Sequence, residues 1–250
     1  MIFYDTPMAL NRERHRRLKL DKQAGDYSYA RQTNSVLLAA TEMIEAAKDY
    51  PLVFVGKPGG DFTVAGLVGL QDRENLFLDD SGQWTPGRYL PAFVRRYPFV
   101  LAEEDGNPNL TVCIDEKFSG FGDEKGEPLF DPEGNETELL KSQVAFLQLF
   151  HAEMQRTRAF AARLAELDLL VARTIHVERD GRQEVLDGLY VIDEQKLRDL
   201  DDAQVLGLYR DGYMPWIYAH LQSLGNIERL ALIQAPSQSQ SQSPASTGTH

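Results

Sequence analysis

At 250 residues the chain can bury a substantial core, and its 42% apolar and 26% charged residues exclude disorder throughout. Its 26 Lys and Arg stand against 38 Asp and Glu, and the formal charge of −12 argues against general affinity for nucleic acid or anionic lipid. A single cysteine, Cys113, forbids an internal disulfide framework and fits a reducing compartment. The opening MIFYDTPMAL puts a short apolar run ahead of the basic residues, the wrong order for a secretory signal. No stretch approaches the roughly 18 apolar residues of a membrane helix. The expectation is a cytoplasmic protein without a membrane span.

In chain order, RERHRRLKL (Arg12 to Leu20) is a local basic run, read as a solvated edge able to pair with nearby acids. From about Asn34 to Tyr50, VLLAATEMIEAAK has helical spacing, stopped by Pro51. LVFVGKPGGDFTVAGLVGL reads as two strands joined by the Lys57 to Gly60 turn, where Pro58, Gly59 and Gly60 supply the turn chemistry. NLFLDDSGQW follows as a third short strand with a Gly82 turn. Phe93 to Leu101 and Leu110 to Ile114, around a Glu104 to Asn109 turn, complete a β-rich half with antiparallel pairing.

The second half reads as helical. Asn135 and Glu138 resemble a capping box, opening a long amphipathic helix to about Leu167 with apolar positions such as Leu139, Phe146, Phe150, Phe160 and Leu164. A hairpin of Leu170 to Val177 and Glu184 to Ile192 turns at Asp180-Gly181. Short helices follow from Asp193, from Asp201 to Arg210, from Met214 to Leu224 and on to Ile233. Gly212 and Gly225 are the expected C-terminal caps and Pro215 belongs to a first turn. The last fifteen residues, PSQSQSQSPASTGTH, read as a disordered Ser/Gln/Pro tail. The fold class is therefore α+β: a mainly antiparallel sheet packed by a long amphipathic helix, with a helical C-terminal lobe from about 193. One domain is expected over 1–235, with the tail at 236–250.

The segment WTPGRYLPAFVRRYPF, Trp84 to Phe99, packs aromatics, three arginines and three prolines into sixteen positions and suits a structured, partly exposed surface. Together with YPLVFVG (Tyr50 to Gly56), LTVCIDE (Leu110 to Glu116), GEPLF (Gly126 to Phe130) and RTRAFAARLAELDLL (Arg156 to Leu170), it resembles the SapC family, named after a gene in a bacterial surface-layer locus. The resemblance runs from about Arg16 to Leu232 and is not to the peptide-uptake permease of the same name. It carries no catalytic residues across. It implies an accessory role, because family members lie near genes for outer-membrane receptors, flavin-dependent halogenases and cupin-like proteins.

Candidate sites follow from residue chemistry. If Phe93 to Leu101 is a strand, Arg95 and Arg96 point to opposite faces, with Phe93, Arg95, Tyr97 and Phe99 on one. A guanidinium among aromatics can anchor a carboxylate or phosphate, or can simply be stacked in the structure, which is the favoured reading. Trp84, Arg88 and Tyr89 belong to the same candidate surface. Trp216 and His220, four apart in MPWIYAHL, share a helix face that lines a pocket or packs in the core. Cys113 reads as a small buried strand residue. Asp115, Glu116, Asp123 and Glu124 match no calcium loop, the histidines have no paired-ligand spacing, and VGKPGGDF lacks the phosphate-loop pattern. No metal site and no cofactor are expected. The chain reads as a binding protein for a protein or peptide partner, using Trp84, Arg88, Tyr89, Arg95, Arg96, Tyr97, Trp216 and His220. The alternatives are an enzyme with a non-local active site, or a structural protein of a surface layer.

Overall fold

A computed structural model describes residues 3–21, 26–104, 107–179 and 181–233. Its main layer is an antiparallel five-stranded sheet in the order β10-β11-β4-β5-β3, built from β3 (Ser35–Leu38), β4 (Leu52–Val55), β5 (Thr63–Leu67), β10 (Leu170–Arg179) and β11 (Arg182–Ile192). A second sheet sets β7 (Asn107–Asp115) between β1 (Pro7–Ala9) and β6 (Phe99–Glu104). A third, very short one pairs β2 (Lys19–Leu20) with β8 (Phe121–Gly122) and β9 (Glu127–Pro128). All pairings are antiparallel, as the short turns between strands require. The fold is α+β, with a helical region at the C-terminal end of the described chain.

One helix ties the layers together. α3 (Glu138–Glu166) has 29 residues and so spans about 43 Å at 1.5 Å per residue. Its first half buries Leu140 and Leu147 with Phe99 and Ile114 of the second sheet and with Leu129 just after β9. Its later turns bury Phe150, Met154, Phe160, Ala161 and Leu164 in the larger core, against the five-stranded sheet. The buried stripe includes Thr157, which apolar periodicity does not reveal. Its hydroxyl accepts from Ala40 N at 2.7 Å and donates to Glu153 O, so the polar atom is satisfied.

The C-terminal helices α4 (Glu194–Arg198), α5 (Asp202–Arg210), α6 (Met214–Ser223) and α7 (Asn226–Ala231) follow the expected order. Gly212 adopts φ +74° after α5, where Tyr213 N reaches back to Leu208 O; only glycine takes this left-handed position without strain. Gly225 does not cap in this way: its φ of −63° keeps the chain right-handed into α7. Ser223 accepts from Leu52 N and locks α6 onto β4.

Several local expectations are corrected. The run from Asn34 begins as β3, not as helix, because Val36 and Leu38 alternate into the core while pairing with β5. Helix is confined to a 3-10 turn over Ala40–Glu42 and to α1 (Met43–Ala46). A run such as VLLAA satisfies both periods, and strand pairing decided it. The third strand shrinks to a single Leu78–Trp84 bridge closed by the Asp79 turn, where Asp79 accepts from Ser81 and Gln83. The cap of α3 is Thr137, which accepts from Leu140 N, while Asn135 is spent on the Asp131 turn.

The largest revision concerns Phe93 to Leu101. Ala92–Arg95 is a helical turn, α2, opened by Pro91, and β6 begins only at Phe99, after Pro98. Arg95 and Arg96 are therefore successive residues at the end of a helical turn, and the division of their side chains between two strand faces does not hold. Asp180, residues 105–106 of the expected Glu104 to Asn109 turn, and the tail at 236–250 lie outside the described residues.

Candidate functional site

The arginine–aromatic segment divides between core and surface. Trp84 is buried, stacked on Phe77, and donates to Tyr50 Oη at 3.1 Å and Tyr89 O at 3.2 Å. Tyr89 donates to Glu42 Oε1 at 2.7 Å, and its backbone N reaches Asp49, which also pairs with Arg88 at 2.9 Å. These residues tie α1 to the segment that follows the Trp84 bridge. The buried Glu42 is satisfied by three donors: Ala39 N, Tyr89 Oη and Ala92 N.

Trp216 and His220 also sit in the core. Trp216 stacks on Tyr213, meets the Phe160 ring edge-on and carries Arg156 against its face. His220 is fully buried, lies 5.2 Å from the Phe54 ring and accepts from Ile192 N at 3.0 Å. Burial pushes its pKa down to about 3, so the imidazole is neutral at ordinary pH.

What the segment contributes to an open site is its last part. Tyr97 lines a cleft of about 570 Å³ with Phe3, Tyr4, Asp5, Ser28, Tyr29, Arg31 and Gln32. Three separate stretches build it. The 3-10 turn Ser28–Ala30 is held by Asp26, which accepts from Ser28 N and Oγ, and by Tyr27 N bonding to Gly82 O. A side chain at Gly82 would meet both Asp26 and Ser28, so a small residue there keeps this wall in place. The N-terminal stretch is pinned by Asp115, a buried carboxylate at the end of β7, which accepts from Asp5 N at 2.9 Å, Thr6 N at 3.2 Å and Tyr97 Oη at 3.2 Å. Burial pulls the Asp115 carboxyl upward, but these donors and Lys117 N outweigh it and hold it below the ordinary carboxylate range. Phe3 takes φ +76°, an uncommon conformation for a bulky residue, and packs its ring on Tyr29 and Phe93.

The cleft has a definite chemical character. Tyr29 and Tyr97 stack with centroids 4.1 Å apart, and Tyr4 lies 5.2 Å from Tyr97. Each hydroxyl donates inward: Tyr4 to Phe99 O at 2.7 Å, Tyr29 to Val94 O at 2.9 Å, Tyr97 to Asp115. Burial pushes all three phenols above their usual range, so none ionises near neutrality. The cleft thus combines the partly covered tyrosine rings and Phe3 with the polar side chains of Asp5, Ser28, Arg31 and Gln32. Arg31 is oriented by the carbonyl of Asp79 at 2.7 Å.

Arg96 lies behind Tyr4, with its guanidinium carbon 4.3 Å from the Phe93 ring centroid, 5.3 Å from Phe150 and 5.8 Å from Tyr4. Of the residues singled out in the sequence, the structure brings Tyr97 into the cleft and Arg96 beside it. Arg88 and Arg95 are at the surface. Trp84, Trp216 and His220 are interior, and Tyr89 is half-buried with its hydroxyl spent on Glu42. Phe3, Tyr4, Asp5, Tyr29, Arg31 and Gln32 were missed. The signal for them was the aromatic clustering in IFYD and DYSYARQ, which only the fold connects to Tyr97.

A SapC family profile matches residues 10–230. The chain belongs to the SapC family. No curated protein and no solved structure matches it. In this SapC chain the match covers Tyr29, Arg31, Gln32 and Tyr97 of the cleft but begins after Phe3, Tyr4 and Asp5. Among the described residues no three His, Cys, Asp or Glu side chains converge as a metal-ligand set, and no helix is long and apolar enough to cross a membrane. Arg14 of the basic run pairs with Glu116 at 2.9 Å, and His15 bridges Asn11 N and the same carboxylate. Cys113 is buried on β7.

Proposed function

We propose that this SapC protein is an accessory binding factor that holds an extended peptide segment of a partner protein in the cleft of Phe3, Tyr4, Tyr29 and Tyr97. The observation that carries the reading is the direction of the three tyrosine hydroxyls. Because each is spent on the protein's own backbone or on Asp115, the phenols offer a ligand ring edges and not hydroxyl protons, and polar contacts in the cleft fall to Asp5, Arg31 and Gln32. A sugar or nucleotide would need its own hydroxyls matched. A segment carrying proline or aliphatic side chains needs rings to lie on and a few rim groups for its backbone, here Asp5, Arg31 and Gln32. Its place of action is the cytoplasm, a setting supported by the single cysteine of the sequence, which allows no internal disulfide.

The test uses a random dodecapeptide library selected on the purified protein. Gln32 is exposed at the rim, so Gln32→Trp fills the cleft without removing a wall. Selected peptides should lose at least about tenfold in affinity on this variant while its melting temperature stays unchanged, because the lost ring contacts are the source of affinity. Peptides that bind both forms equally would contradict the reading.

A further inference from the structure

Arg95 and Arg96 are two adjacent cations that form no ion pair among the described residues. Some arginines of this protein pair with acids, among them Arg14 with Glu116, Arg88 with Asp49, Arg156 with Glu153 and Arg198 with Glu194, while others, such as Arg31 and Arg73, bond to a carbonyl or an amide. Arg95 instead donates through Nε to Leu90 O at 3.1 Å and lays its guanidinium 5.2 Å from the Phe146 centroid. Arg96 has its Nε shut away from solvent with no hydrogen-bond partner, and lies against Phe93, Phe150 and Tyr4. Its electrostatic neighbour is the Tyr4 hydroxyl, and burial lowers its affinity for the proton.

Phe146 and Phe150 are four residues apart on α3, so they lie one above the other on the same helix face. The two guanidiniums therefore rest on successive steps of one aromatic ladder. A guanidinium laid on a ring still has its in-plane N–H groups to offer, and the fork matches a carboxylate. The Tyr4 ring beneath Arg96 is also a wall of the cleft, which places the arginine pair beside one end of it.

We propose that Arg95 and Arg96 form a carboxylate receptor, and that the peptide segment taken by the cleft is acidic at the end lying over α3. This rests on the peptide reading above and adds the charge of the partner to it. Two adjacent guanidiniums beside one end of the cleft favour a partner that carries carboxylates there. They also explain how a protein of net charge −12 recognises another acidic segment.

The same dodecapeptide library supplies the test. Selected peptides should carry at least two Asp or Glu residues near one end, and changing these to Asn or Gln should weaken binding about tenfold, the scale of a lost charge-assisted contact. Arg95→Gln, at an exposed position, should weaken the acidic peptides by a similar factor and leave the neutralised ones unaffected. Arg96→Lys, which keeps the charge but not the fork, should be weaker than wild type for acidic peptides alone. If the selected peptides are neutral or basic, or if neutralising them changes nothing, the carboxylate receptor is wrong and the cleft reading stands. If no selected peptide is blocked by Gln32→Trp, both fall.

Discussion

Between pH 7 and pH 4.5 the wild-type protein should lose roughly 2–3 kcal/mol of unfolding free energy through His220 alone. The unfolded imidazole titrates near 6.5, whereas burial holds the native one near about 3. Between those values the unfolded chain holds the proton and the native chain does not. Stability from this group is therefore complete above about pH 6.5 and falls as the pH drops toward 3. The cause is the position of the ring. It has no exposed surface, it packs on Phe54, and its Nε2 must stay deprotonated to accept from Ile192 N. His220→Gln keeps an acceptor for Ile192 without a titrating group. Urea unfolding at pH 7 and 4.5 should show the variant less stable at pH 7 but with a much smaller drop. Equal pH slopes in the two proteins would show that His220 is not the group responsible.

Asp115→Ala should cost about 3 kcal/mol, because it leaves Asp5 N, Thr6 N, Lys117 N and the Tyr97 hydroxyl without their shared acceptor at a buried position. For a chain of this size that corresponds to a fall in melting temperature of roughly 10 °C. The same carboxylate positions the N-terminal stretch and Tyr97, so peptide binding in the cleft should be lost at temperatures where the variant is still folded. The pH dependence follows from its lowered pKa. The stabilisation is present above about 3.9, the ordinary unfolded value, and is lost as the pH falls through the lower native one. Asp115→Asn should remove that acid-side loss while retaining part of the packing. Calorimetry on the two variants checks both statements. An Asp115→Ala protein that melts like wild type and binds peptide normally would overturn the assigned role.

The parts of this fold that were legible in the sequence are those whose signals are local. The β4–β5 hairpin is written in the Pro58-Gly59-Gly60 turn, and α3 in its apolar spacing from Leu140 to Leu164. The α5 end is written in Gly212. Where a segment satisfied two periods, the partner decided: β3 became a strand because β5 lies beside it. In Phe93 to Leu101 the aromatic and β-branched residues suggested a strand. Pro91 and Pro98, which bracket a helical turn, carried the better information.

The site was less legible because it is assembled by tertiary contact. Residues 3–5, 28–32 and 97 meet only after β7 has placed Asp115 beneath the N-terminal stretch. Aromatic density drew attention to Trp84 and Trp216, which are the largest side chains of their segments and for that reason fill the core. Tyr97 was singled out in the sequence, since it lies in the same segment, but the tyrosines it packs against were not.

A peptide segment lying on the Tyr4, Tyr29 and Tyr97 rings would register in amide chemical shifts followed during titration with a selected peptide. The prediction is saturable shifts concentrated on residues 3–6, 28–32 and 95–97, with little change elsewhere. A second hollow of about 550 Å³ lies between β10, β11 and α6–α7, lined by Val171, Ile175, Leu221 and Ile227. Shifts centred there, with the tyrosine cleft undisturbed, would contradict the account.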